Sequence, residues 1–255
     1  MSRVVAIANQ KGGVGKTTTA INLGAALAAF DRKVALVDFD PQANATSGLG
    51  FSRQKNGASA YDVLLGVDSR EAIRPTTFPN LWLMPSGRDL VGAEIELVDQ
   101  TGRERKLREA LEPVRGNFDF VLVDCPPSLS LLTVNALTAA DSVLVPLQTE
   151  YFALEGVTEL LESVDRVRNA FNPALEIEGI LLTMYDERTN LSRQVLDDIR
   201  RHFGDLVYET VIPRNVRLGE APSFGKPVLA YDIKSRGAEA YLALGRELLK
   251  RRGIR

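Results

Sequence analysis

The run Lys11-Gly12-Gly13-Val14-Gly15-Lys16-Thr17-Thr18 directly follows the apolar stretch Val4-Val5-Ala6-Ile7-Ala8 and precedes a segment with helical spacing. Glycines let a backbone curl until successive N–H groups converge on one point, and a helix N-terminus adds its positive end. Those are the requirements of a phosphate cradle. In such a cradle Lys16 bridges the β- and γ-phosphates of a nucleotide and the Thr17 hydroxyl ligates Mg2+. The ordinary form of the loop has a glycine five residues before Gly15; Gln10 stands there instead, and Lys11 is an additional lysine. A solvated glycine-rich turn would explain the residue types but not the strand–loop–helix context.

Two further acidic motifs close apolar runs. One is Val37-Asp38-Phe39-Asp40-Pro41-Gln42, the other Leu122-Val123-Asp124-Cys125-Pro126-Pro127. Ligands of open α/β sheets bind at the carboxyl ends of strands, so Asp38 and Asp40 are expected to face the phosphates. Asp124 can hold the hydration shell of a nucleotide-bound Mg2+. Either acid alone reads as a helix cap or a turn residue; the three signals in this order are far more specific.

These residues need a frame of buried strands. Continuous apolar runs at residues 4–8, 34–37, 81–84, 118–123, 143–145, 177–182 and 207–212 have the pattern of strands covered on both faces. Helical spacing occupies residues 17–29, 104–113, 131–139, 154–170, 191–203 and 236–250, with a surface helix around 60–65 in the less regular stretch 52–80. The alternation predicts one doubly wound α/β domain over residues 1–255, with a mostly parallel sheet and helices on both faces. With 45% hydrophobic and 25% charged residues, a chain of 255 residues can bury a substantial core. No apolar run reaches the roughly 18 residues that a membrane span needs. The first apolar run is explained by the loop behind it, so no leader peptide is expected. A single cysteine, Cys125, excludes an internal disulfide and fits a reducing cytoplasm. The net charge is −2, but from Tyr185 onward 14 Lys and Arg face 10 Asp and Glu, a formal +4 against −6 for the rest. Contact with nucleic acid would have to come from a local patch there.

The glycine-lysine loop resembles the deviant Walker A box of the ParA/MinD ATPase superfamily. Asp38-Phe39-Asp40-Pro41-Gln42-Ala43-Asn44-Ala45-Thr46, Thr183-Met184-Tyr185-Asp186 and Ile212-Pro213-Arg214-Asn215-Val216-Arg217-Leu218 resemble its ParA/Soj chromosome-partitioning branch, and the match runs from the first strand to about Lys226. The resemblance implies Mg2+-dependent hydrolysis of ATP between two subunits of a homodimer. Gly12, Gly13, Val14, Gly15, Lys16, Thr17 and Thr18 would bind the phosphates, with the base near Pro213 and Asn215. Lys11 would reach the partner's phosphates, Asp40 would orient the attacking water, and Asp38 and Asp124 would support the Mg2+ shell. The resemblance also implies non-specific binding to double-stranded DNA, stimulation by a ParB/Spo0J-type centromere-binding protein, and a cytoplasmic, nucleoid-associated location.

A binder that ignores base sequence neutralises phosphates with Arg and Lys. The candidates are Arg188, Arg193, Arg214, Arg217 and Lys226; the plainer reading pairs such arginines with Asp186, Glu187 and Glu220. The runner-up is a MinD-like membrane-cycling ATPase, in which Leu242, Leu244, Leu248 and Leu249 opposite Arg246, Lys250, Arg251 and Arg252 form an interfacial helix. The absence of Trp or Phe from that tail favours a helix packed on the domain and no membrane partner. An iron–sulfur ATPase of the same superfamily needs two cysteines per chain. Cys125 and His202, each the only residue of its type, are expected to do no chemistry.

Overall fold

Val34-Ala35-Leu36-Val37-Asp38 and Phe120-Val121-Leu122-Val123-Asp124 carry no polar side chain until their last position, and both are buried along their whole length. Strands of this kind must sit in the middle of a covered sheet. In the computed structural model, which describes residues 2–52 and 57–254, they do. The strands are β1 (Arg3–Ile7), β2 (Val34–Asp38), β3 (Arg74–Pro75), β4 (Leu81–Met84), β5 (Phe120–Asp124), β6 (Ser142–Gln148) and β7 (Glu176–Thr183). Their order is β3-β4-β2-β5-β1-β6-β7, and all pairings are parallel except β3 with β4. Pro75 cannot donate to a ladder and lies in the edge strand, where that costs nothing.

Two apolar layers cover the sheet. The Lys16–Ala29 and Arg236–Arg251 helices bury Leu23, Leu27, Tyr241, Leu244 and Leu248 on one face. The Lys106–Arg115, Leu131–Ala139, Ala153–Ala170 and Asn190–Phe203 helices bury Leu111, Leu132, Val164 and Ile199 on the other. Ser235 caps the last helix by accepting from the Ala238 N–H, and Lys250 and Arg251 sit in its final turn, favourable to its dipole. Its apolar stripe is therefore committed to the core. Arg252 and Arg3 clasp Glu178 and Glu176, pinning the chain's two ends across β7. Among the described residues no helix is long and apolar enough to cross a membrane.

Two expectations need correction, and a third holds. Residues 207–212 form no strand: Val207 makes an isolated bridge to β7, and Pro213, just beyond the segment, makes another to Tyr185. The Tyr208 and Ile212 N–H groups still donate to the Ile180 and Leu182 carbonyls, but the Glu247 carboxylate accepts those of Glu209 and Thr210 between them. The helix expected over residues 104–113 starts with a short 3-10 turn, Arg103–Arg105, and continues through Pro113 to Arg115. In the irregular stretch the expected surface helix is Ala60–Leu64, closed by a Ser59–Asp62 capping box; residues 53–56 of that stretch lie outside the described ones.

Candidate functional site

The cradle occupies the turn between β1 and the Lys16–Ala29 helix. Gly13 and Gly15 hold φ of 76° and 88°, values that side-chain-bearing residues rarely adopt. The loop is anchored from outside. Asn9 donates to the Pro146 carbonyl and accepts from the Lys11 N–H, and Thr183 donates to the Val14 carbonyl at 2.8 Å. Lys16 folds back over the loop, its Nζ donating to the Lys11 carbonyl at 2.9 Å. Burial pulls this ammonium below the ordinary lysine range, against the fields of Asp124, Cys125 and Asp40. Lys16, Thr17, Thr18, Gly12, Gly13, Gly15 and Asp40 line one cleft of about 280 Å3 with Gln42, Asn44 and Pro127.

Asp38 and Asp124 are register partners at the ends of β2 and β5, and both are fully buried. Their environments differ. Asp38 accepts from the Thr46 N–H at 2.7 Å, the Thr46 hydroxyl at 2.6 Å and the Asp40 N–H at 3.3 Å. Burial pushes its carboxyl up to about 6 against those hydrogen bonds. Among the described residues no donor makes a full hydrogen bond to either oxygen of Asp124, though the Thr17 hydroxyl is near enough to draw its carboxyl down. Burial, then the charge of Asp38, holds the Asp124 carboxyl well above the usual carboxylate range. A buried carboxylate with so little donor support is costly unless a cation answers it, so Asp124 beside Lys16 and Thr17 fits a hydrated divalent cation. Asp40 is nearly buried, accepts from the Gln42 N–H and faces the cleft.

A second recess of about 220 Å3 is lined by Gly15, Thr18, Thr183, Met184, Pro213, Arg214, Asn215 and Tyr241, among others. It shares Gly15, Thr18 and Met184 with the cleft, so the two form one trough. The expected Pro213 and Asn215 are in it; Asn215 also caps the Val216–Glu220 helix by accepting the Arg217 N–H. Sequence reasoning quoted Thr183 and Met184 only within a family motif, with no role in the site, and missed Tyr241. Tyr241 lies 223 positions after Thr18 in the chain and reads there as a core aromatic.

Lys11 is half-exposed and ion-paired with Glu150, in the loop after β6. Gly12 has an ordinary backbone conformation, and a Cβ on it would stand 4.0 Å from that of Pro127, so this chain alone does not require glycine there. The five candidate DNA-contacting residues are all exposed. Arg188 and Arg214 share a recess with Arg236, a residue the sequence reading did not single out. Arg188 pairs with Asp186, Arg193 donates to Asn190, and Arg217 is held by Glu220 and Asp232. Lys226 stands apart, after the Ala221–Phe224 turn. Cys125 is buried under the sheet and His202 is exposed against Phe203.

The family model described as an AAA domain matches residues 2–177. The chain is 58% identical to the chromosome partitioning protein ParA of Caulobacter vibrioides, over 98% of this chain and 94% of that protein. It is 55% identical to the sporulation initiation inhibitor protein Soj of Bacillus subtilis, over 97% of this chain and 98% of the relative. A solved structure described as cobyrinic acid a,c-diamide synthase from Mycobacterium smegmatis, with bound ADP and magnesium, superposes with a TM-score of 0.87 at 43% identity. That superposition covers 99% of this chain and 96% of the other. Cradle, paired strand-end acids and full-length similarity agree: the chain belongs to the ParA/Soj family of the ParA/MinD ATPase superfamily.

Proposed function

We propose that this chain is a Mg2+-dependent ATPase whose ATP-bound form dimerises and binds double-stranded DNA without regard to sequence. Hydrolysis, stimulated by a ParB-type centromere-binding partner, releases the DNA. The observation that carries the reading is the continuous trough, with a cationic, anchored cradle at one end and an apolar recess of base size at the other. Its supports include the relatives named for chromosome partitioning and the 43% identical structure with ADP and magnesium.

In this reading the cradle amides and Lys16 bind the β- and γ-phosphates, and the recess at Pro213 and Asn215 receives the base. Mg2+, held by Thr17 and through water by Asp124, supplies charge neutralisation at the phosphates. Asp40 accepts a hydrogen bond from the attacking water and aims it at the γ-phosphate. Asp38 acts on the site indirectly, fixing Thr46 and the turn that carries Asp40. Lys11 leaves Glu150 and reaches the partner's phosphates, where it stabilises charge that grows in the transition state. Hydrolysis thereby becomes conditional on assembly. A dimer also doubles the arginines offered to DNA, which multiplies affinity without new chemistry.

The test is light scattering of Asp40→Ala with ATP and with ADP. A dimer with ATP alone is the expected result; a monomer under both nucleotides, with ATP shown to be bound, contradicts the sandwich.

A further inference from the structure

The Leu90–Glu96 helix, which follows β4, buries Leu90, Ala93 and Leu97 in the core. Its opposite side carries a second apolar stripe. Val91 and Ile95 are 51% and 74% exposed and lie one turn apart on the helix, and Val98, in the turn that follows it, is 53% exposed. Single exposed apolar residues are ordinary, but two on one helix face continued by a third in the following turn make a patch a partner segment can cover.

The rim of the stripe is acidic. Between residues 88 and 99 stand Asp89, Glu94, Glu96 and Asp99, with Arg88 as the only basic residue. Arg103 approaches the Val98 carbonyl, but its guanidinium is paired with Glu104. Glu96 is oriented by the Tyr61 hydroxyl and Glu94 accepts from the Leu132 N–H at 3.4 Å, so the acids flank the stripe on both sides. Leu132 lies in the first turn of the Leu131–Ala139 helix after the Asp124 loop, and Pro127 of that loop lines the phosphate cleft beside Gly12. A load on the stripe therefore has a short path to the site.

Resting on the function proposed above, we infer that the Val91/Ile95/Val98 face is the docking surface for the stimulating partner. The segment it receives is basic and amphipathic, with apolar side chains on the stripe and Lys or Arg on the acidic rim. A second copy of this chain is disfavoured as occupant, because its identical acidic rim would meet like charge.

The experiment measures ATP turnover of Ile95→Glu, Val91→Glu and Asp99→Lys against concentration of the full-length ParB-type protein of the same organism, with DNA present. ATP-dependent dimerisation and DNA binding are read on the same samples. Either apolar-to-acid variant is expected to raise the partner concentration needed for half-stimulation by ~tenfold or more, and Asp99→Lys by roughly threefold. Basal turnover, dimerisation and DNA binding stay at wild-type values. Full stimulation of both Ile95→Glu and Val91→Glu overturns the assignment while leaving the parent reading intact. Loss of the ATP-dependent dimer in those variants assigns the face to a second copy and overturns it as well. A wild-type chain that neither binds DNA nor responds to the partner removes the parent reading and this one together.

Discussion

The phosphate cradle and the arginine rim adjoin at the carboxyl end of β7, yet they are built on opposite terms. In the cradle Lys16 is 7% exposed, Asp38 and Asp124 are fully buried, and the loop is tied down by Asn9 and Thr183. At the rim Arg188 is 82% exposed, and its partner Asp186 lies two residues away in its own loop. Buried charges interact strongly, and each is hard to replace; exposed charges are screened, and each contributes little. One region suits a chemical step that depends on every group. The other suits a summed affinity that can be switched by doubling the number of contacts.

The sharpest way to break this contrast is Lys16→Ala. ATP affinity should fall by about a hundredfold or more, the scale of losing one preorganised charge in a dry site; an unchanged titration would dissolve the distinction. Gly12→Val comes next. Since the lone chain has room at that position, the variant should melt with the wild type and bind ATP, yet form no dimer by light scattering. Dimers of normal stability would separate Lys11 from any crossing role.

A subtler test concerns the carboxylates. The Asp124 carboxyl is held above its usual 3.8, so the folded chain binds that proton more tightly than the unfolded chain does. Its stabilising contribution is complete at low pH and is lost as pH rises through the folded value. In nucleotide-free protein, Asp124→Asn should gain on the wild type in Tm as pH climbs from about 4 toward 7. A constant difference would mean that Asp124 titrates like an exposed acid. The smallest effect belongs to the rim: Arg214→Glu should leave ATP binding intact and reduce the slope of log affinity for DNA against log salt by about one contact, ~0.9. An unchanged slope would remove Arg214 from the DNA surface.

The legibility of these regions in the sequence follows the same contrast. The cradle was readable because its groups are contiguous, from Lys11 to Thr18, and its acids end apolar strands. The buried strands were readable because burial on both faces leaves uninterrupted apolar runs. Residues 207–212 read as a strand, but Glu209 and Thr210 interrupt the run, and their amides go to Glu247, 38 and 37 positions away, instead of to a ladder. The trough's far wall was half visible: Pro213, Asn215 and Met184 sit in motifs, though Met184 reaches the trough through a left-handed turn (φ 53°), whereas Tyr241 contributes through helix packing. Pairing of Lys11 with Glu150 spans 139 positions, beyond any local pattern. For the arginines, the sequence supplied the charges and the nearby Glu220, but not Asp232, which engages Arg217 from 15 positions away.

The most direct measurement is DNA binding by Asp40→Ala, with ATP against ADP, over a salt series. Tight binding with ATP alone, weakening steeply with salt, is the predicted result and joins the dimer switch to the arginine rim. ATP-dependent dimers that bind no DNA at any salt concentration would contradict it and turn attention to a membrane surface instead.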